Sequence, residues 1–181
     1  MLLRRSFLSR FVRLCFLCGL CVIGVGCCLA APITSPRGYS LTPPQGWRTD
    51  TSGKTGNDLV IFTLDPADRF TPNLNVRIGQ AGPHDTLEAA KVFINKSYPA
   101  QFSHWKPVSQ GLSSIGGRRA LDTAATFTAG SPGRLMRLRQ ALVIKGGTLY
   151  FFTAMSPEET HAKYDKAFDD ILRSVRWNGG G

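Results

Sequence analysis

Past residue 30 the chain contains no cysteine: all five (Cys15, Cys18, Cys21, Cys27, Cys28) lie before it. That excludes a disulfide framework and a thiolate metal site from the body. The body must be held by its own core, and about 150 residues suffices for one domain. Nucleophile signatures are missing too. Ser113-Ser114 sit between Gly111 and Gly116, without the Gly-x-Ser-x-Gly spacing that puts a serine on a strand-to-helix turn. Metal-ligand spacing is equally missing among His84, Asp85, His104, His161, Asp65 and Asp68; no two histidines stand four apart on a helix. No cofactor is expected, and the reading is of a non-enzymatic protein.

The first 30 residues lack acids. Arg4, Arg5, Arg10 and Arg13 precede an apolar run from Leu14 to Gly26, followed by small residues. A basic start, a short apolar core and a small-residue end make an export signal, and the core falls short of the roughly 20 residues of a membrane span. Residues 1–30 are therefore assigned to the signal, which places the protein in the periplasm or cell envelope. Arg4-Arg5-Ser6-Phe7-Leu8 matches the twin-arginine export pattern, with an ordinary basic start as the alternative. Cys28-Leu29-Ala30 fits signal-peptidase cleavage after Ala30. Val25-Gly26-Cys27 resembles the end of a lipobox, which makes Cys27 the candidate lipidation site. An uncleaved anchor is the third alternative.

The chain carries 22 basic and 12 acidic residues, net +10, of which the signal supplies four basic. The remaining excess is localised. Lys106, Arg118, Arg119, Arg134, Arg137, Arg139 and Lys145 face a single acid, Asp122, between positions 106 and 145. Arg118, Arg119, Arg134, Arg137, Arg139 and Lys145 are the candidate contact residues for an acidic protein surface or an anionic membrane. Nucleic acid is not expected of an exported chain without a recognised motif.

Residues 31–37 read as a linker, residues 38–177 as the domain and residues 178–181 as a tail. Tyr39 to Thr42 reads as an edge strand. Pro43-Pro44-Gln45-Gly46-Trp47 reads as a shaped corner with Trp47 beneath it. Residues 58–64 (DLVIFTL) read as a strand buried on both faces, and Leu74, Val76 and Ile78 as one face of a half-buried strand. Asp85 with Glu88 predicts a capping box. The helix it opens carries Leu87, Ala90, Ile94 and Tyr98 on one face and ends or bends at Pro99.

Residues 105–115 and 117–129 read as two strands turning at Gly116-Gly117. Residues 134–145 and 148–155 form a second hairpin around Gly146-Gly147. On the first strand of that hairpin, Met136, Leu138, Leu142 and Ile144 form an apolar face, with Arg137 and Arg139 opposite. The apolar face is expected to carry Tyr164 and Phe168 of the last helix. Ser156, Pro157 and Glu159 predict that helix's cap, first position and capping box. Tyr164, Phe168, Ile171, Leu172 and Val175 form its stripe. The pattern implies an α+β domain with an antiparallel sheet.

The corner from Tyr39 to Trp47, the stretch from Gln140 to Tyr150 with its Gly146-Gly147 turn, Thr153-Ala154, and residues 168–176 resemble PsbP-like and DcrB-like domains (the Mog/PsbP-type fold). The resemblance implies an antiparallel sheet of six to seven strands sandwiched by helices. The group includes a photosystem subunit, bacterial envelope lipoproteins and a nuclear import factor that binds Ran; the export signal argues against the last role. It supplies no catalytic residue. It raises an alternative role as an accessory or assembly subunit with ligand or metal binding.

Overall fold

The computed structural model describes residues 30–63, 70–130 and 132–179. The signal-segment features, Cys27 included, and Asp65 and Asp68 lie outside the described residues.

Seven antiparallel strands form the main sheet. In chain order they are β3 (Arg48–Asp50), β4 (Leu59–Phe62), β5 (Asn73–Gln80), β6 (Ser103–Ile115), β7 (Arg118–Ala129), β8 (Arg134–Lys145) and β9 (Thr148–Pro157). Their order across the sheet is β3-β4-β5-β9-β8-β7-β6. A second sheet has three short strands in the order β1 (Ile33–Ser35), β2 (Tyr39–Leu41) and β10 (Arg176–Trp177). Helix α1 (Leu87–Gln101) joins β5 to β6. A 3-10 turn (Glu158–Thr160) and α2 (His161–Ser174) follow β9. The class is α+β, as expected.

Glycine turns set the long hairpins. Gly116 and Gly117 have φ of 56° and 81°, and Gly146 and Gly147 have 55° and 74°. Two consecutive positive φ values define the type I′ turn, whose twist matches that of paired strands. The turns fix the register from Ile115↔Arg118 and Lys145↔Thr148 outward. Both turns lie at the same end of the sheet.

Side-chain alternation along β8 assigns the faces. Leu142, with Leu121 of β7, packs on Ile94, Leu87, Ala90 and Tyr98 of α1, the predicted helix stripe. Met136 and Leu138 pack on the same face with Phe127, Phe102 and Trp105. Between these two apolar groups the Tyr98 hydroxyl donates to Gln140 Oε1 (2.8 Å), and Gln140 Nε2 donates to Thr153 Oγ1 (3.0 Å). Such pairing is what a buried amide requires. On the other face Ala141 and Val143 join Phe152, Tyr150, Leu74 and Val76 beneath Tyr164, Phe168, Ile171 and Leu172 of α2, with Tyr39 and Leu41 of the small sheet beside them. Burying each of these large apolar side chains is worth about 1.5–3 kcal/mol. Trp47 lies edge-on to Tyr164 (6.2 Å) and Phe168 (5.8 Å), under the corner as expected.

Several local expectations are corrected. Helix α2 packs on the face of β8 that carries Arg137 and Arg139, not on the Met136–Leu138 face. The arginines reach that face because their heads find acids there. The N-cap of α1 is Thr86, whose hydroxyl accepts from Ala89 N; Asp85 instead accepts from Gly82 N. Pro99 lies inside α1, which runs on to Gln101. It stands in the last turn, where a lost donor and a ring clash disturb little of the helix. Ser156 and Pro157 end β9 rather than opening a helix, because β8 is long enough to pair with both. In β4 only Leu59 and Ile61 are fully buried; Val60 and Phe62 are partly exposed, one strand in from the sheet edge. Ile33–Ser35, within the stretch read as linker, pairs with β2.

Candidate functional site

The six basic candidates divide into two groups. Arg134, Arg137 and Arg139 lie on β8 away from the turn end, and each meets an acid. Arg134 Nε and Nη2 donate to Glu159 Oε1 at 3.0 and 2.6 Å. Arg137 Nε and Nη2 donate to the two oxygens of Glu158 at 2.7 and 2.6 Å, a bidentate pair. Arg139 Nη2 donates to Asp122 Oδ2 at 2.9 Å, and its Nη1 donates to Asp169 of α2. The Arg137 and Arg139 side chains are 17% and 26% exposed, which distinguishes them from solvated surface charges. Hydrogen bonds from Arg137 hold the Glu158 carboxyl below its ordinary value, and those from Arg134 do the same for Glu159. Hydrogen bonding to Asp122, then to Asp169, raises the Arg139 value despite burial. These pairs tie β8 to the 3-10 turn and to α2.

Arg118, Arg119 and Lys145 form the second group, at the sheet end between the two glycine turns. Arg118 makes no ion pair with any described residue. Arg119 comes within 3.8 Å of Glu88, but both side chains are more than 70% exposed, so water screens the pair. Lys145 reaches only the Asn178 carbonyl, at 3.4 Å. A shallow cleft of about 500 Å³ beside Arg118 and Arg119 is bounded by Asp85, Glu88, Thr86 and Gly117. Here the cations face solvent, and the acids nearest them, Asp85 and Glu88, are themselves exposed.

A polar cleft of about 690 Å³ opens between the two sheets. Asp58 stands at its wall, 18% exposed, with the exposed Arg37 head 4.0 Å from Oδ1. Ser35 Oγ and the Tyr39 hydroxyl both donate to Asp58 Oδ2 at 2.7 Å. Burial, then the Asp58 bond, raises the Tyr39 pKa. No local pattern marks this trio, because its members come from β1, β2 and the residue before β4.

Ser156, His161 and Asp165 also fall in line. Ser156 Oγ lies 3.2 Å from His161 Nδ1, and His161 Nε2 lies 3.5 Å from Asp165 Oδ1. The order superficially matches a hydrolase triad, but Ser156 is fully buried and no substrate reaches its hydroxyl. Its bond orients His161 at the start of α2. Ser113-Ser114 sit on β6, with no histidine bonded to either hydroxyl. Among the described residues no three His, Cys, Asp or Glu side chains gather as a metal site.

Burial lowers the His161 pKa below its ordinary 6.5, against the opposing pull of Asp165. The unfolded chain therefore takes up the proton first as pH falls. The contribution is complete above about 6.5 and is lost progressively below it, toward the folded value. Urea unfolding at pH 7 and pH 5 checks this. The stability of the protein relative to a His161→Gln variant should fall between the two pH values, and an unchanged difference would remove His161 as a contributor.

The chain resembles several solved structures of low identity. The solution structure of cyanobacterial PsbP (CyanoP) from Synechocystis is 19% identical, with a TM-score of 0.58, over 85% of this chain and 95% of that one. LpqN, involved in cell envelope biogenesis of Mycobacterium tuberculosis, is 15% identical, with a TM-score of 0.61, over 82% and 90%. The Ran-binding protein Mog1p of Saccharomyces cerevisiae is 11% identical, with a TM-score of 0.56, over 81% and 94%. At such identities the likeness is one of fold, and it is the PsbP/Mog fold that the sequence motifs implied. No curated protein matches the sequence. Residues 32–177 match the family described as the serine/threonine kinase C-terminal domain, and the chain belongs to that family.

Proposed function

We propose that this protein is a non-enzymatic binding module of the cell envelope, exported by its N-terminal segment, with the turn-bearing end of its sheet as the contact surface. The observation that carries the proposal is the division of the basic residues. Arg134, Arg137 and Arg139 are neutralised within the fold, whereas Arg118, Arg119 and Lys145 stand at the turn-bearing end of the sheet, Arg119 toward α1 and Lys145 toward the small sheet, with no buried acid beside them. Solvent-exposed cationic charge at one end of the sheet steers an anionic partner and sets its orientation.

The partner is an acidic protein surface. Supporting this are a family description that places such domains C-terminal to serine/threonine kinases and the Ran-binding neighbour on the same fold. The export signal and the envelope role of LpqN support the location. Cys27 remains the proposed lipid anchor, with cleavage after Ala30 as the alternative.

Cross-linking capture from envelope extracts tests the surface. Arg118→Glu with Arg119→Glu and Lys145→Glu should lose the captured protein, and capture by the unmodified chain should weaken as salt rises. Undiminished capture by the triple variant would end the proposal. Retention on anionic vesicles without a captured protein would replace the protein partner with a membrane.

A further inference from the structure

We propose that two copies of this chain pair edge to edge through β6, antiparallel about a two-fold axis at Leu112. Strand β6 closes one side of the seven-stranded sheet, and among the described residues β7 is its only neighbour there. The I′ turn at Gly116-Gly117 makes Ile115 and Arg118 a hydrogen-bonded pair. From that pair outward, Ser113, Gly111 and Ser109 turn their backbone groups toward β7. Gln110, Leu112 and Ser114 turn theirs away. No backbone bond from elsewhere among the described residues reaches these three. The irregularity between Pro107 and Ser109 follows the same parity, because it places the proline, which has no N–H, at an outward-facing position.

Natural sheet edges are guarded by charges, prolines or bulges. This one is guarded at its α1 end by Lys106, Pro107 and the bulge, and nowhere between Val108 and Ile115, which contain no charged residue. An isologous interface brings each residue near its own copy, so a charge close to the axis would repel itself. Here the axis falls on an apolar residue. Leu112 is 57% exposed, on the same face as its partner Leu121. Pairing Leu112 with its copy sets Gln110 against Ser114 on each side and satisfies three donors and three acceptors per chain. The two Leu112 side chains then lie across from each other. The flanking Gly111 and Ser113 are small enough to leave the opposite face flat. An edge of this length buries less than the roughly 1,200 Å² of a stable complex, so the dimer is concentration-dependent. The surface is distinct from the basic turn end and does not depend on its role.

The test uses the full chain with its five cysteines replaced by serine. Leu112→Cys places two thiols across the axis at a backbone separation of about 5.5 Å, within the range a disulfide spans. Val92→Cys, on the exposed outer side of α1, is the control. Under mild oxidation Leu112→Cys should form a covalent dimer about tenfold faster or more, as expected when a preformed pair replaces chance encounter. Equal rates would overturn the proposal. Leu112→Pro removes only an outward N–H and leaves the β6–β7 ladder intact. In sedimentation velocity it should abolish the concentration-dependent dimer at unchanged melting temperature, and a dimer that survives it would also overturn the proposal.

Discussion

Arg139→Met should cost about 3 kcal/mol of folding stability, on the order of 10 °C in melting temperature for a domain this size. The methionine keeps the apolar stem of the arginine. What it removes is the guanidinium that bridges Asp122 on β7 and Asp169 on α2, each carboxylate only 21% and 30% exposed. Asp122 is then left partly buried and facing a neutral residue, while Asp169 keeps the exposed Arg173 at 3.2 Å, and an unpaired buried charge costs more than the pair contributed. Adding Asp122→Asn and Asp169→Asn to the variant should recover part of the loss, since no charge then remains uncompensated. Arg134→Met should cost much less, because Glu159 is 57% exposed and water takes the guanidinium's place. Thermal melts of these variants check the ranking. Equal losses at 134 and 139 would mean that the Asp122–Arg139–Asp169 bridge carries no special weight.

Gly116→Ala should also destabilise by about 3 kcal/mol. Two effects combine. The glycine has a φ of 56°, which an alanine adopts only at a cost of about 1 kcal/mol. A methyl there would also stand 2.8 Å from Trp177 Nε1 and 2.8 Å from the Val175 carbonyl. Neither yields cheaply. Trp177 donates to the Ile115 carbonyl at 2.9 Å and packs edge-on against Tyr150 (4.9 Å) and Phe152 (6.2 Å). Moving it opens the seam between the small sheet and the large one. Gly146→Ala separates the two effects. Its φ is 55°, but nothing lies within 4 Å of an added methyl. It should cost about 1 kcal/mol, the backbone part alone. Chemical denaturation of both variants measures the difference, and equal losses would show that Trp177 gives way freely.

Those two positions also mark where reading the residues in order succeeds and where it stops. Glycine pairs and helix stripes are local, so both I′ turns and the buried faces of α1 and α2 were legible: Ile94 and Tyr98 in one, Phe168 and Ile171 in the other. The two long hairpins and the strands over 58–64 and 73–78 followed from spacing and alternation, and the six-to-seven-strand count from the family resemblance. Among the short strands β2 alone was read; β1, β3 and β10 were not legible, because they take their order from their partners. Nor was the role of Arg137 and Arg139. Alternation put them opposite the Met136–Leu138 face, which is correct. That their face is also a packed face depends on Ala141, Val143 and a helix that brings Asp169 and the preceding Glu158 to meet them. The acids lie up to 30 residues away in sequence, so a window count of charge saw a basic patch where the fold has ion pairs. The same count was more faithful for Arg118, Arg119 and Lys145, whose nearest acids, Asp85 and Glu88, are exposed.

The division of the basic residues is therefore the claim to test. Two triple variants measured side by side, for melting temperature and for capture of the envelope partner, do so most directly. Arg118→Glu/Arg119→Glu/Lys145→Glu should melt within a few degrees of the unmodified protein and capture nothing, while Arg134→Met/Arg137→Met/Arg139→Met should melt far lower and, at temperatures where it remains folded, still capture. The reverse pattern, with capture lost only from the β8 triple while its melting temperature holds, would contradict the account.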